Sequence, residues 1–174
     1  MNKIEIKANF IKDLEDFQTK ELKKHNFKIN NNKSIGIQYF NSLNKLIPVT
    51  KYNVCIAKEF KVPFKYEKII FEIIKKLKLG LNINGYLSKN IFRSYYNDAM
   101  LNHFGIYHLH LGDGIKFGFR KRSSDLLHIY LKNNNAYILG IFPHKNWLEE
   151  DKIKIIVNNW PEVLQEYEIS KSIG

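Results

Sequence analysis

The sequence has few of the residues that stabilise small secreted proteins or cross membranes. It holds one cysteine, Cys55, among 174 residues, which excludes an internal disulfide and a zinc module built from cysteines. No uncharged apolar run is long enough to span a bilayer. The first residues, Met1 to Glu5, contain no apolar segment of the kind that directs export. We therefore expect a cytoplasmic protein with no membrane partner.

Arginine is also scarce, although the chain is strongly basic. The 28 basic residues outnumber the 17 acidic ones and give a net charge of +11, yet only Arg93, Arg120 and Arg122 are arginines. The abundance of Lys, Asn and Ile is typical of an AT-rich genome, so the total charge alone says little. Its position says more, because residues 103–148 hold five of the six histidines with six basic and two acidic residues. That segment is where we expect a polyanionic partner.

Hydrophobic residues make up 44% of the sequence, which is enough for a packed core. Apolar residues at helical spacing predict helices over 10–27 and 66–79, the second of which ends at Gly80. Alternation of apolar and polar residues predicts a strand over 35–39. A short apolar run predicts a buried strand over 52–56. The N-terminal part of the chain is therefore expected to be mainly helical.

From residue 106 onward the hydrophobic period changes to two. Short turns between consecutive strands predict an antiparallel meander. Its four predicted strands are 106–111, 115–122, 126–131 and 136–142. A helix that Ser88 caps and Gly105 ends precedes them, and a helix over 148–159 follows. The predicted fold class is α+β: a mainly helical N-terminal region over 1–104, then a four-stranded antiparallel meander with a C-terminal helix over 105–174, together in one compact unit.

One face of the predicted meander gathers polar side chains, because successive residues of a strand point to opposite faces. Histidine titrates near neutral pH and suits acid–base roles, whereas the guanidinium fork matches phosphate oxygens. Metal-free cleavage of RNA needs both. We predict His108, His110 and His144 as catalytic residues. The predicted phosphate and nucleic-acid contacts are Lys116, Arg120, Arg122, His128, Tyr130 and Lys145.

Each part of this set has a structural alternative. His108 and His110 are as consistent with satisfied, half-buried side chains as with function. Histidines two residues apart on a strand could also chelate Zn²⁺ with His128 or His144. No carboxylate shares their face, so we favour metal-free chemistry without a cofactor. Arg120 and Arg122 could form a solvated face or pair with the acidic C-terminal tail, although anion binding is favoured. His128 within an apolar strand is more typical of packing.

The C-terminal half resembles the meander of RelE/ParE-superfamily toxins. The resemblance covers residues 105–147, about a quarter of the chain. The segments that carry it are Gly105–Gly114, Lys116 with Arg120–Arg122, Leu126–Leu131 and Ala136–His144. A family strand arginine is replaced here by His108 or His110. The stretches 86–111 and 122–127 also resemble a group of uncharacterised bacterial proteins, which implies no function.

The toxin resemblance implies a metal-independent ribonuclease that acts on RNA, ribosome-bound mRNA included, and that pairs with an acidic antitoxin protein. It implies phosphate contacts by Lys116, Arg120 and Arg122. It implies an acid–base pair of His108 and His110, with His144 as a third candidate. The alternatives are a non-enzymatic protein that binds nucleic acid or an acidic partner, and a protein whose histidines are simply buried. The nuclease hypothesis requires imidazoles and guanidiniums to lie side by side at the surface of the sheet.

Overall fold

The computed structural model describes residues 9–143 and 149–163, and these residues form two compact units. The first unit consists of residues 9–46 and 90–97, and the second contains the other described residues. Each unit therefore joins segments that are distant in the sequence. Among the described residues, no helix combines the length and the apolar character that crossing a bilayer requires.

Two helices, α1 (Phe10–Lys24) and α2 (Ile35–Leu43), form most of the first unit. Asn9 caps α1, because its side-chain oxygen accepts a hydrogen bond from the backbone N–H of Lys12 at 3.1 Å. The predicted helix over 10–27 is confirmed apart from its last turn. The predicted strand over 35–39 is wrong, since those residues begin α2. The short apolar alternation there fits either structure, and long-range contacts decide between them.

Those contacts are polar and connect α2 and the chain after it to residues 90–97. The side chain of Lys45 is fully buried, and its Nζ donates hydrogen bonds to the carbonyl oxygens of Arg93 and Ser94, both at 2.9 Å. The buried side-chain oxygen of Gln38, on α2, accepts a hydrogen bond from Ser94 Oγ at 2.6 Å. Buried polar groups that are satisfied in this way fix one arrangement of the chain. Residues 90–97 thus belong to the first unit.

Six strands form in the second unit. They are β1 (Asn53–Ile56), β2 (Ile106–His110), β3 (Ile115–Lys116), β4 (Phe119–Arg120), β5 (Asp125–Lys132) and β6 (Asn135–Pro143). Four of them make a mixed sheet in the order β1-β6-β5-β2, in which β1 runs parallel to β6 and the other pairs are antiparallel. β3 and β4 make a separate two-stranded sheet.

The structure is α+β, but the predicted four-stranded antiparallel meander is wrong. β2 pairs directly with β5, so residues 115–122 lie outside the main sheet. They form the β3–β4 hairpin because Phe117 and Gly118 adopt positive φ angles of 52° and 79° and turn the chain back. β1, which comes much earlier in the chain, takes the edge beside β6. Alternation predicts an extended segment, but it does not identify the segment with which it pairs.

Three helices accompany the sheet: α3 (Glu67–Leu79), α4 (Ala99–Phe104) and α5 (Glu149–Asn159). α3 confirms the helix predicted over 66–79, and it ends at Gly80 with a left-handed φ of 70°. The single helix predicted from Ser88 to Gly105 is wrong in its start and continuity, whereas its predicted end is confirmed, since Gly105 ends α4 with a left-handed φ of 65°. Only Lys89–Phe92 forms a 3-10 turn, and α4 begins after Asp98, whose Oδ1 accepts a hydrogen bond from the backbone N–H of Leu101 at 3.2 Å.

The core of the second unit lies between the sheet and α4 with α5. Its buried cluster consists of Met100, Ile106, Tyr130, Tyr137, Leu139, Ile156 and Val163. α4 packs on β2, and α5 packs on β6. The residues of β2 and the middle of β5 and β6 are buried on both faces. The face that was expected to present polar groups to solvent is therefore covered.

Candidate nucleic-acid interface

Three of the predicted site histidines lie together on the covered face of the sheet. The strand register sets His108 of β2 opposite His128 of β5, with ring centroids 6.3 Å apart, and His108 lies 6.5 Å from His110. The exposed fractions of His108, His110 and His128 are 8%, 3% and 2%. The sequence correctly predicted that they share a face. The expectation that this face is open is wrong, because the sheet lies beneath the helices.

The surroundings of His108 and His128 are those of a packed interior. Oδ2 of Asp98, the residue that caps α4, lies 3.6 Å from Nδ1 of His108, and both side chains are buried. The rings of His128 and Phe142 pack in a T-shaped arrangement at a centroid distance of 5.1 Å, and Nδ1 of His128 lies 3.2 Å from the carbonyl oxygen of Leu126. Tyr130 belongs to the core cluster. Structure therefore places His108, His128 and Tyr130 in the interior.

A cleft of about 390 Å³ lies at the end of β2, which is a size typical of small-ligand sites. The described residues that line it are Leu87, Ser88, Lys89, His110, Lys116, Phe117, Phe119, Arg120, Lys121 and Arg122. Four predicted site residues come together here: His110, Lys116, Arg120 and Arg122. Because His110 is almost fully buried and yet lines the cleft, its imidazole forms part of the floor. His144 and Lys145 lie outside the described residues.

Most of the lining residues lie on the segment that connects β2 to β5, residues 111–124. We call this segment the basic loop. Its two ends are held together by Ser123. The backbone N–H of Leu111 donates a hydrogen bond to Ser123 Oγ at 2.9 Å, and that hydroxyl donates to the carbonyl oxygen of Asp125 at 2.5 Å. The loop therefore starts and ends at adjacent points, and its cations are concentrated in a small area.

Close backbone approach shapes the same loop. A Cβ atom added to Gly112 would collide with the carbonyl oxygen of Lys121 and would lie 2.7 Å from that of Arg122. A Cβ added to Gly85 would lie 2.7 Å from the carbonyl oxygen of Gly118, at the hairpin turn. Only glycine fits at these two contacts. The positions of the cleft cations thus depend on backbone packing.

Arg120 is a fixed part of the wall. Its Nη2 donates a hydrogen bond to Oε2 of Glu72 at 2.7 Å, and its guanidinium carbon lies 5.1 Å from the centroid of the Tyr86 ring. The pKa of the Glu72 carboxyl is lower than its ordinary value. The largest cause is a hydrogen bond from the Tyr86 hydroxyl, and a hydrogen bond from Lys76 and the positive charges of Lys76 and Arg120 add to it. Glu72 is therefore ionised at neutral pH and neutralises Arg120.

The other cations of the cleft are not neutralised in this way. Lys89, Lys116, Lys121 and Arg122 are exposed and form no ion pair with any residue that the structure describes. None of the described residues that line the cleft is a carboxylate. Asp113 is the one carboxylate of the basic loop, so the loop keeps a net positive charge, and like charges that are close together repel each other and disfavour the compact state. Their concentration is therefore typical of a site for a bound anion.

Phe117 occupies the tip of the β3–β4 hairpin. Its ring is 91% exposed, and its φ of 52° lies in the left-handed region. That conformation costs about 1–2 kcal/mol for a residue other than glycine. An exposed ring buries little apolar surface, so it offsets little of this cost. Strain without structural benefit is typical of a functional position.

Sequence reasoning missed four lining residues that carry charge or an aromatic ring: Lys89, Lys121, Phe117 and Phe119. Strict alternation assigned Lys121 to the face opposite its two arginine neighbours, whereas the run Arg120–Arg122 alone could have indicated a basic loop. For Phe117, the signal was a bulky residue directly before a turn glycine, Gly118. Lys89 could not be found, because nothing in its own segment indicates proximity to residue 122.

No protein-family model, curated protein or solved structure matches the chain. The resemblance to RelE/ParE toxins stays a prediction from the sequence. In the parts of the chain that the structure describes, no three His, Cys, Asp or Glu side chains are grouped so as to hold a metal ion.

Proposed function

We propose that the protein binds RNA, with the phosphate backbone held by the cations of the basic loop. The observation that carries this proposal is the composition of the cleft. Lys89, Lys116, Lys121 and Arg122 line it together with Phe117 and Phe119, and no described carboxylate lines it. Cations neutralise phosphates and release counterions, whereas aromatic rings provide surfaces for bases. Both features in one cleft favour a nucleic acid over a simple anion.

The hairpin favours RNA over duplex DNA as the ligand. Readers of duplex DNA insert a helix or a long ribbon into the major groove. The cleft instead presents a two-residue turn and a volume of about 390 Å³, which suits single nucleotides. Sequence-specific RNA binding mostly uses unpaired bases that are splayed from the strand. Duplex DNA of the same length is the comparison ligand in the titrations that follow, and we expect it to bind more weakly than the RNA strand.

The double variant Lys121→Ala/Arg122→Ala tests the proposal. We expect its affinity for a single-stranded RNA oligonucleotide to fall about tenfold at low salt, because two phosphate contacts are lost. The slope of log affinity against log salt concentration should become shallower by about 1.4, since each single-strand phosphate contact contributes about 0.7. Fluorescence anisotropy titrations at several salt concentrations measure both quantities.

The matched control is Lys75→Ala/Lys78→Ala. These lysines lie on exposed positions of α3 and are not among the described residues that line the cleft. The control removes the same total charge, so it separates a local contact from a general effect of net charge. We expect less than about a twofold change in its affinity. Equal losses in both double variants would show that the binding is diffuse, and the proposed cleft would be rejected.

Ribonuclease activity at the same cleft is a second candidate, which the position of His110 favours. Cleavage would begin when this imidazole takes the proton of a 2′-hydroxyl, whose oxygen then attacks the adjacent phosphorus. The bond to the 5′-oxygen breaks, and that oxygen receives a proton from an ammonium group of the cleft. The products would be a 2′,3′-cyclic phosphate and a 5′-hydroxyl end. Arg122 would stabilise the charge on the phosphorane.

The anisotropy samples also test this second candidate when they are analysed for cleavage products. Cyclic-phosphate ends that form in EDTA with the wild type, and not with His110→Ala, would support it. The variant must still bind RNA, because Arg122 and its neighbours are retained. Intact RNA after long incubation with the wild type would leave binding as the function and would reject cleavage.

A further inference from the structure

We infer that Phe117 stacks on an unpaired base of the bound RNA, so that the cleft selects single strands over duplexes. This inference rests on the proposed function and adds the class of RNA to it. The ring is positioned for this purpose by the turn of the β3–β4 hairpin, at the edge of a cleft lined by cations.

The exposure and the conformation of Phe117 are the first argument. Its ring is 91% exposed, and no described aromatic ring contacts it. Its φ of 52° is one that phenylalanine rarely adopts, whereas Asn or Gly would fit this turn without strain. The fold would be at least as stable without the ring. The side chain is therefore better explained by a ligand than by packing.

The charges around the ring are the second argument, because they identify the ligand. Nζ of Lys116 lies 5.6 Å from the centroid of the Phe117 ring, and Lys121 and Arg122 line the same cleft. An apolar protein partner would leave these cations buried and unpaired. A nucleotide offers a flat apolar base next to a negative phosphate, and so it matches both the ring and the cations.

Stacking requires that one face of the base be free to contact the ring, and this excludes a base inside a duplex, because neighbouring base pairs cover both of its faces. Duplex RNA presents phosphates and hydroxyl groups along its surface but keeps its bases stacked on each other. The cations alone would bind either form. The ring therefore determines the preference for single strands, and the cations determine the dependence on salt.

Three ligands of matched backbone length separate these contributions: a single-stranded uridine oligonucleotide, the same backbone with abasic riboses, and an RNA duplex. We expect the wild type to bind the uridine strand about tenfold more tightly than the abasic strand, because stacking on one ring has this effect. The salt slopes for the two single strands should be equal, because both carry the same phosphates.

The variant Phe117→Asn should lose this tenfold preference and keep its salt slope and its affinity for the duplex. Asn tolerates the left-handed conformation, so the variant should unfold at a urea concentration no lower than the wild type. Phe117→Trp should retain the preference, since indole also stacks on bases. Phe64→Asn is the matched control, because the ring of Phe64 is 89% exposed and does not line the cleft. It should behave as the wild type does.

The outcomes distinguish the inference from the proposed function. If the wild type binds none of the three ligands, RNA binding itself fails. If it binds uridine and abasic strands equally, with a normal salt slope, then RNA binding holds and the stacking is wrong. A preference for uridine that survives in Phe117→Asn would also overturn the role of this ring.

Discussion

Gly112→Ala is expected to destabilise the protein by about 3 kcal/mol and to weaken RNA binding through the same change. The added Cβ would collide with the carbonyl oxygen of Lys121 and lie 2.7 Å from that of Arg122. These neighbours are backbone atoms, so no side-chain rotation relieves the collision. The basic loop would have to move away from the end of β2. Urea unfolding followed by circular dichroism measures the loss of stability.

Gly36→Ala is the matched control for this prediction. A Cβ at position 36, in α2, would meet only side-chain atoms of Gln18 and Ser34 at 3.6 Å or more. Alanine is favoured over glycine within a helix by about 0.5–1 kcal/mol, so the control should be slightly stabilised. Both substitutions add one methyl group, but they should change the free energy of unfolding in opposite directions. A Gly112→Ala variant with the wild-type unfolding midpoint and normal RNA affinity would contradict the described loop packing.

Lys45→Met is expected to destabilise the first unit by about 3 kcal/mol, because a hydrogen bond to a charged group contributes about 1.5–3 kcal/mol. The buried Nζ donates to the carbonyl oxygens of Arg93 and Ser94, both at 2.9 Å. Methionine fills the space of the lysine stem but donates nothing, so both bonds are lost. Losing the ammonium also removes its desolvation cost, and this limits the effect to less than the sum of two such bonds.

Amide hydrogen exchange locates this effect, because the amides of residues 90–97 should exchange faster when the two hydrogen bonds from Lys45 are lost. The control is Lys20→Met, at an exposed position of α1, where we expect a change within about 0.5 kcal/mol. RNA affinity should stay the same in both variants, since neither lysine lines the cleft. Unchanged exchange in residues 90–97 of Lys45→Met would show that the buried ammonium does not hold this segment.

The elements that the sequence predicted correctly are those with a strong local pattern. α3 has apolar residues at helical spacing and Gly80 at its end, and both are local features. The extended segments β2, β5 and β6 were predicted from alternation and from the short turns that bound them. The partner of β1 was not predictable in this way, because parallel pairing with β6 joins residues about eighty positions apart. The pairing of strands depends on contacts between residues that are distant in the sequence.

In the candidate site, too, the features that follow from a local pattern were predicted, and those that depend on long-range contacts were not. Sequence alternation correctly grouped His108, His110 and His128 on one face, since period two is a property of any strand. It could not show that α4 and α5 cover that face. It also extended the alternation through residues 115–122, where a left-handed Phe117 reverses the chain. The cations were recognised, but their grouping with His110 depends on the basic loop.

The interleaving of the two units bears on synthesis. Residues 9–46 leave the ribosome well before residues 90–97, which provide the carbonyl groups for Lys45 and the hydroxyl for Gln38. Until residues 90–97 emerge, the ammonium of Lys45 lacks the carbonyl oxygens that accept its hydrogen bonds, and the side chain of Gln38 lacks the hydroxyl that donates to it. The first unit therefore cannot complete its packing until residues 90–97 have been synthesised. A nascent chain halted before position 90 would expose incompletely packed helices and would be a good substrate for chaperones.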